Sequence, residues 1–299
     1  MLTVATHSGS FHADDVFAFA VLRAATRDHL DLTRTRDAER LVQADLLFDV
    51  GGIHDPSSRR YDHHMRDKPL RGDGAPYSSA GLVWRDYGID ALKTLLPAAD
   101  DEAARKVWRM LDAGLVRDVD LVDNGAIDTT CGHFAIVIES WNPTFVESGR
   151  DEDAAFRQAS DIAYQVLERS CARAHAAVVA MDAVAAAAQA AADPRIIVLE
   201  RKVPWEDAVS ELGLDQALYV VRPSGAAWSC NAVPPERGSF AQRLPLPEQW
   251  GGLRDAEFAA LSGVADATFC HPALFICGAA SRDGCIELAR RAIALGLPG

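Results

Sequence analysis

Short apolar runs alternate with longer helical patterns along the first half of the chain. Leu2 to Ala5 is apolar and partly β-branched, which predicts a buried strand. From Asp14 to Ala25 the apolar residues Val16, Phe17, Phe19, Ala20 and Leu22 predict a helix. Asp31 to Arg36 alternates as a strand does, and Asp45 to Val50 reads as another. Ser78 begins a helix, with Ser79 as its N-cap and Leu82, Val83 and Tyr87 at helical spacing. A long helical stretch follows from Asp101 to about Asp123. Strands alternating with helices predict an α/β domain over residues 1–150, built on a doubly wound, mostly parallel sheet.

The pattern changes at residue 151. Residues 151–194 are alanine-rich and nearly free of Gly and Pro, with Ile162, Val166 and Leu167 on one face, and predict a helical connector closed by Asp193-Pro194. Residues 195–299 return to short strands, at Ile196 to Leu199, Leu218 to Arg222, Trp228 to Val233 and Thr268 to Cys270. A last helix runs from Arg282 to about Leu295. They predict a second, smaller α/β domain suited to binding a substrate.

The 299 residues are 49% apolar and 24% charged, an ordinary globular balance. A net charge of −13 argues against a broad basic surface for long nucleic acid, which depends on many phosphate contacts. It leaves room for a short or single-stranded substrate drawn to a site where metal ions supply the positive charge. Six cysteines (131, 171, 230, 270, 277 and 285) form no Cys-x-x-Cys pair, and reduced thiols fit a cytoplasmic chain. Met1 to Ala5 is too short an apolar run for a signal peptide, and no stretch approaches the ~20 apolar residues of a membrane span, so no membrane partner is expected.

The candidate chemistry gathers at the ends of the predicted strands. His7, His12, Asp14 and Asp15 follow the first, Asp49 ends a later one, and Asp62-His63-His64 lies in a loop beyond it. Strand ends on one edge of a parallel sheet converge in space, which is where open α/β sheets place their sites. Imidazoles with carboxylates form a ligand set for Mn, Zn or Fe rather than a thiolate site. Singly, each residue has a blander role: His7 at a strand end, Asp49 in a turn, His63 and His64 in a solvated loop. Their ordered series favours the metal. Asp123 stands in Asp-Asn-Gly, which is also a turn signal. His29, His54, His133 and His175 have no partner pattern.

Those clusters resemble the DHH phosphoesterase superfamily. Within it the chain is most similar to the melanocyte-proliferating-gene (Myg) family of metal-dependent hydrolases and exonucleases. The likeness is carried by Thr6 to Asp15, Asp49-Val50-Gly51-Gly52, Arg60 to His64, Ser78 to Leu82, Val119 to Gly125 and Ser239 to Pro247. It implies two divalent ions, Mn2+ with Mg2+ as the alternative, held by His7, His12, Asp14, Asp49, His63 and Asp123. Asp120 is a second candidate for the place of Asp123. Asp49 would bridge both ions and share the catalytic work with His64, which would face the substrate, while Asp62 would orient a histidine. The common first motif, His-x-x-x-Asp-x-Asp, is altered here. His12 stands near the first Asp, five residues after His7, and Asp15 reads either as a ligand or as the acidic first turn of a helix.

On the substrate side, the helix start at Ser79 could take a phosphate oxygen or serve as a plain serine cap. Arg243 offers a bidentate phosphate contact, with Trp250 as a wall. His271 stands where the superfamily carries a glycine-rich motif ending in His, of which Gly278 remains. Asn142-Pro143 belongs to the likeness with no role beyond a turn. The resemblance implies exonucleolytic hydrolysis of short RNA or DNA. The alternatives are a phosphatase for pyrophosphate, polyphosphate or a cyclic dinucleotide, or a metal-binding regulatory protein without turnover. A homo-oligomer is compatible with the apolar patch at Leu244 to Leu246.

Overall fold

A computed structural model of the chain describes residues 1–296 except Asp28 and Arg237. It divides into two compact units, Met1–His175 and Ala176–Gly299.

The first unit opens with β1 (Leu2–Thr6), α1 (Ala13–Thr26), β2 (Leu30–Arg34), α2 (Ala38–Val42) and β3 (Leu46–Phe48). The short strands β4 (His54–Asp55) and β5 (Arg60–Tyr61) follow. The sheet order is β2-β1-β3-β5-β4, parallel throughout except for β4 at the edge. Both faces are covered. Phe48 stacks on Phe19 of α1 with ring centroids 6.3 Å apart, whereas Ala5 and Leu47 turn the other way onto Leu41 of α2. Burying each such Phe or Leu stabilises the unit by about 1.5–3 kcal/mol. Because β1, β3 and β5 are parallel, their carboxyl ends open on one edge, and each delivers a loop there.

Helix α3 (Ser79–Leu95) packs on α1, and its N-cap is Ser78 rather than Ser79. The helical stretch expected over 101–123 is α4 (Asp101–Leu111), a π-helical turn over Asp112–Val116, and α5 (Arg117–Asp123). Helix α6 (Phe134–Glu139) precedes α7 (Glu152–Ala190). Helix α7 runs unbroken through the expected connector, since no Gly or Pro interrupts it, and the division between the units falls within it. Its buried stripe in the first unit is Phe156, Ala159, Ala163, Leu167 and Cys171, so Ile162 and Val166 are only half-buried. The expectation that no stretch is apolar enough to cross a membrane needs correcting. By length and composition alone α7 is, with an 18-residue window of mean hydropathy 1.3, 22% of it buried. That apolarity comes largely from alanine, which the count of large side chains overlooked.

The second unit contains β6 (Ile196–Val198), α8 (Glu206–Glu211), β7 (Tyr219–Ser224), β8 (Ala227–Ala232) and α9 (Asp255–Ser262). It closes with β9 (Ala267–Cys270), β10 (Ile276–Ala279) and α10 (Arg282–Gly296). The sheet order is β6-β7-β8-β10-β9; only β6 and β7 pair in parallel. Tyr219, Val221, Trp250, Phe258 and Leu288 pack one core, and Ile197, Val220, Trp205 and Val209 another. All six cysteines are free thiols, and every one but Cys131 is buried.

Candidate metal centre

The edge where β1, β3 and β5 end carries the clusters. His7 follows β1 directly, and Asp14 and Asp15 form the first turn of α1, where the helix dipole favours negative charge. Asp15 reaches back to accept the His12 backbone N–H at 3.0 Å, which closes the helix start. Asp49 follows β3 with φ +54°, a left-handed conformation that Asp tolerates better than most residues. Its cost, of order 1–3 kcal/mol, is of the kind that clusters at functional sites. The Asp49 carboxylate thereby lies among the histidines.

Its two oxygens face different imidazoles. Asp49 Oδ2 lies 3.1 Å from His7 Nε2, and Oδ1 lies 3.3 Å from His63 Nε2. His63 Nε2 is also 3.2 Å from Asp123 Oδ2 and 3.7 Å from Asp14 Oδ2. Ligand atoms of His7, His12 and Asp49 lie within 4.8 Å of one another, as do those of Asp49, His63 and His64, and those of His12, Asp14 and Asp123. The six residues expected as ligands therefore stand in one cluster.

Chemically the cluster fits a divalent cation. Both oxygens of Asp14, Oδ2 of Asp15, Oδ2 of Asp123 and both ring nitrogens of His63 are buried without a hydrogen-bond partner among the described residues. Buried polar atoms are almost always satisfied. A set that converges without hydrogen-bond geometry is the arrangement of a coordination shell, whose ligand atoms stand about 3 Å apart when bonds are near 2.1 Å. Charge gives the same answer. Burial, and then the charges of Asp49, Asp123 and Asp15, push the Asp14 carboxyl well above its ordinary range. Burial raises Asp15 and Asp123 as well. Burial also resists a charge on His7, yet Asp15 and Asp49 raise it to about 10. Burial opposes the Asp49 charge too, but His63 and His7 prevail and hold that carboxyl below its ordinary range.

Around the cluster stand residues whose places the sequence left open. Asp15 is fully buried, 3.2 Å from His7 Nε2, so it faces the site as well as capping α1. Asp62 accepts from His64 Nδ1 at 2.8 Å and from the backbone N–H groups of His63, His64 and Gly52. The His64 side chain is 61% exposed. Arg36 donates to Ser8 O and reaches His7 Nδ1 at 3.1 Å, a contact that no sequence motif announced.

The remaining expected residues take varied places. Ser79 does not present itself to a substrate: it is fully buried, and its hydroxyl donates to Asp49 Oδ1 at 3.2 Å. Nor is the start of α3 open to a phosphate. Asp120 accepts there from Ser78 N–H, the Ser78 hydroxyl and Gly81 N–H, and it pairs with Arg71 at 2.7 Å. Asp120 is thus the cap of α3 and stands in none of the ligand groups among the described residues. In the second unit, Arg243 donates to Leu214 O and Ala217 O, which holds a turn. His271 Nδ1 accepts from Ala273 N–H in its own turn, and Trp250 is buried in the core. Asn142, read only as a turn residue, hydrogen-bonds the backbone of Phe11 on both sides.

Known proteins share this chain's sequence along almost its whole length. The sequence profile of MYG1_exonuc, described as an uncharacterised protein family (UPF0160), matches residues 3–293. The chain belongs to that family. Mouse (Mus musculus) MYG1 exonuclease is 33% identical over 321 residues, covering 97% of this chain and 84% of its own. The MYG1 protein C694.04c of Schizosaccharomyces pombe is 30% identical and covered to 98% on both sides. A bacterial MYG1 protein, from Chlamydia muridarum, is 31% identical over 291 residues, 95% of this chain and 94% of its own. Crystal structures of Thermus thermophilus RecJ with Mg2+ and with Mn2+ are looser matches. Both have a TM-score of 0.29, at 14% and 16% identity, covering 98% and 99% of this chain. The chain spans about half the length of those RecJ chains, 49% and 52%, and the match is too distant to bear on residues or activity.

Proposed function

We propose that the chain is a metal-dependent exonuclease that hydrolyses phosphodiester bonds of short RNA or DNA. Two divalent ions, Mn2+ by preference, would be held by His7, His12, Asp14, Asp49, His63 and Asp123. Family membership supports the hydrolase assignment, and mammalian relatives carry the name exonuclease. The observation that carries the two-ion reading is Asp49, whose oxygens face His7 on one side and His63 on the other. A carboxylate so placed is suited to bridging. Mixed imidazole and carboxylate ligands suit Mn2+.

Bound ions of this kind activate water and neutralise charge on a phosphoryl group during in-line attack. The chain's own residues do the rest. Asp14 and Asp123 bring negative charge beside His63, where they would help hold a cation, and Asp15 steadies His7. Asp62 holds His64 Nδ1 on an exposed ring, which suits that imidazole to exchange a proton with the scissile phosphate or the leaving oxygen. Ser79 fixes the Asp49 oxygen that faces His63.

The test is hydrolysis of a 5′-labelled short RNA, and in parallel of pyrophosphate, in Mn2+, Mg2+ and chelator, with Asp49→Ala as the blank. Stepwise metal-dependent shortening that vanishes in the variant is expected. Full turnover by Asp49→Ala would remove the site assignment. One observation favours a second reading: a net charge of −13 suits a small phosphorylated substrate better than a long polyanion. Phosphate release from pyrophosphate without RNA shortening would select it.

A further inference from the structure

Asn142 lies at the turn that follows α6, 131 residues beyond the loop it touches. Its side-chain oxygen accepts the Phe11 N–H at 2.9 Å, and its amide nitrogen donates to Phe11 O at 2.7 Å and to Glu139 O at 3.0 Å. An Asn is one of two neutral side chains able to accept and donate on the same backbone residue in this way. The Phe11 carbonyl belongs to the same peptide plane as the His12 N–H, and that N–H is held by Asp15 Oδ1. The Phe11–His12 peptide is therefore gripped at both ends, by Asn142 on one side and Asp15 on the other.

That grip matters because of where His12 stands. His12 is exposed, and its ring meets the His7 ring at 6.1 Å and the Asp15 backbone rather than being enclosed, yet its ligand atoms fall into two of the three clustered groups. The neighbouring loop is anchored in the same manner. Arg34 donates to Gly9 O and stacks over the rings of Phe11 and Phe156 at 5.6 and 4.7 Å. The Phe11 ring is buried edge-on against Phe156. With the peptide plane fixed, the Cα–Cβ direction of His12 follows.

We propose that Asn142 is a positioning residue for the metal-binding loop: it sets the Phe11–His12 peptide so that the exposed His12 imidazole meets the carboxylate cluster. This rests on the metal reading given above. Outer residues that orient a ligand change metal affinity by roughly 10- to 100-fold when removed.

The test is calorimetric titration of the metal-free full chain with Mn2+, supported by the visible absorption of bound Co2+. It compares wild type, Asn142→Ala, Asn142→Asp, His12→Ala and the double variant Asn142→Ala/His12→Ala. Circular dichroism and thermal melts in chelator report folding independently. Asn142→Ala should bind Mn2+ about 10- to 100-fold more weakly and alter the Co2+ spectrum. Asn142→Asp keeps the acceptor but loses both donors, so it should behave like the alanine variant. In the His12→Ala background the second substitution should add little, because the two act as one unit. Wild-type affinity in both Asn142 variants would overturn the proposal, and so would losses that simply multiply in the double variant. If wild type takes up no metal, the metal reading itself falls and this inference with it.

Discussion

Asp62 Oδ1 sits 2.8 Å from His64 Nδ1, so the first residue of the Asp-His-His sequence acts on the last instead of joining the carboxylate cluster. The same oxygen accepts the backbone N–H groups of His63 and His64, and Oδ2 accepts that of Gly52. Asp62 therefore shapes the loop and fixes the His64 tautomer together. In Asp62→Asn, one face of the amide turns an N–H2 toward a backbone N–H. An unsatisfied buried donor costs about 1–3 kcal/mol, and the imidazole loses its charged partner. Turnover should fall roughly 10- to 100-fold, and by more than Mn2+ affinity, which Asp62 reaches only through the His63 backbone N–H. Steady-state kinetics beside a metal titration reads both. A loss of metal affinity as large as the loss of turnover would mean that Asp62 acts through the metal site rather than through the His64 imidazole.

Gly81 lies against a second carboxylate engaged by hydrogen bonds, that of Asp120. A Cβ at this position would stand 2.5 Å from Asp120 Oδ1 and 2.7 Å from Tyr77 Cδ1, so either the cap or the ring must move. Gly81→Ala should destabilise the protein by about 1–3 kcal/mol, as overpacking in a close-fitted interior does. At about 2–4 °C per kcal/mol, the melting temperature falls by roughly 2–12 °C. Metal affinity of the folded variant at low temperature should match wild type if Asp120, which caps α3 and stands in none of the clustered ligand groups among the described residues, has no part in the metal site. A selective loss of metal affinity without a thermal shift would return Asp120 to the ligand set.

Much of the site was legible in the sequence, for a physical reason. His7 and Asp49 each follow a strand that the alternation of apolar runs with helices made legible, whereas the strand before His63, β5, is two residues long and carries no strand signal, so only the motif pointed to His63. The second unit was read as strands and a last helix, but β10 was passed over: it is four residues long and contains Gly278, both against a strand signal. The misread positions share another cause. Ser79 and Asp120 are 41 residues apart, yet whether the start of α3 is open to a phosphate depends on the Asp120 carboxylate arriving there from α5. Asn142 and Phe11 are 131 residues apart. Local pattern identifies a helix start or a turn. It does not say which distant side chain satisfies it.

Asp14 ties stability to metal in a way that fixes the sign of a pH effect. It is fully buried, neither of its oxygens meets a donor among the described residues, and it faces Asp49, Asp123 and Asp15, with His63 Nε2 at 3.7 Å. Its folded carboxyl lies well above the ordinary value of 3.8, first through burial and then through those charges. A group raised in this way contributes stability that is complete below its unfolded pKa and is lost as the pH rises through its folded pKa. Asp14→Asn does not titrate and loses nothing. In chelator, the variant should therefore melt above wild type near pH 8, and the gap should close as the pH falls toward 5. Every tenfold weakening of the acid on folding is worth about 1.4 kcal/mol, or a few degrees. Added Mn2+ should reverse the order. An ion at about 100 times its Kd stabilises wild type by about 2.7 kcal/mol, whereas the variant has lost a charged ligand and gains less. Thermal melts of both proteins across that pH range, with chelator and with Mn2+, carry the decision. Equal melting temperatures at every pH in chelator would mean that Asp14 keeps an ordinary pKa in the metal-free protein. An equal rise with Mn2+ in both would take Asp14 out of the ligand set.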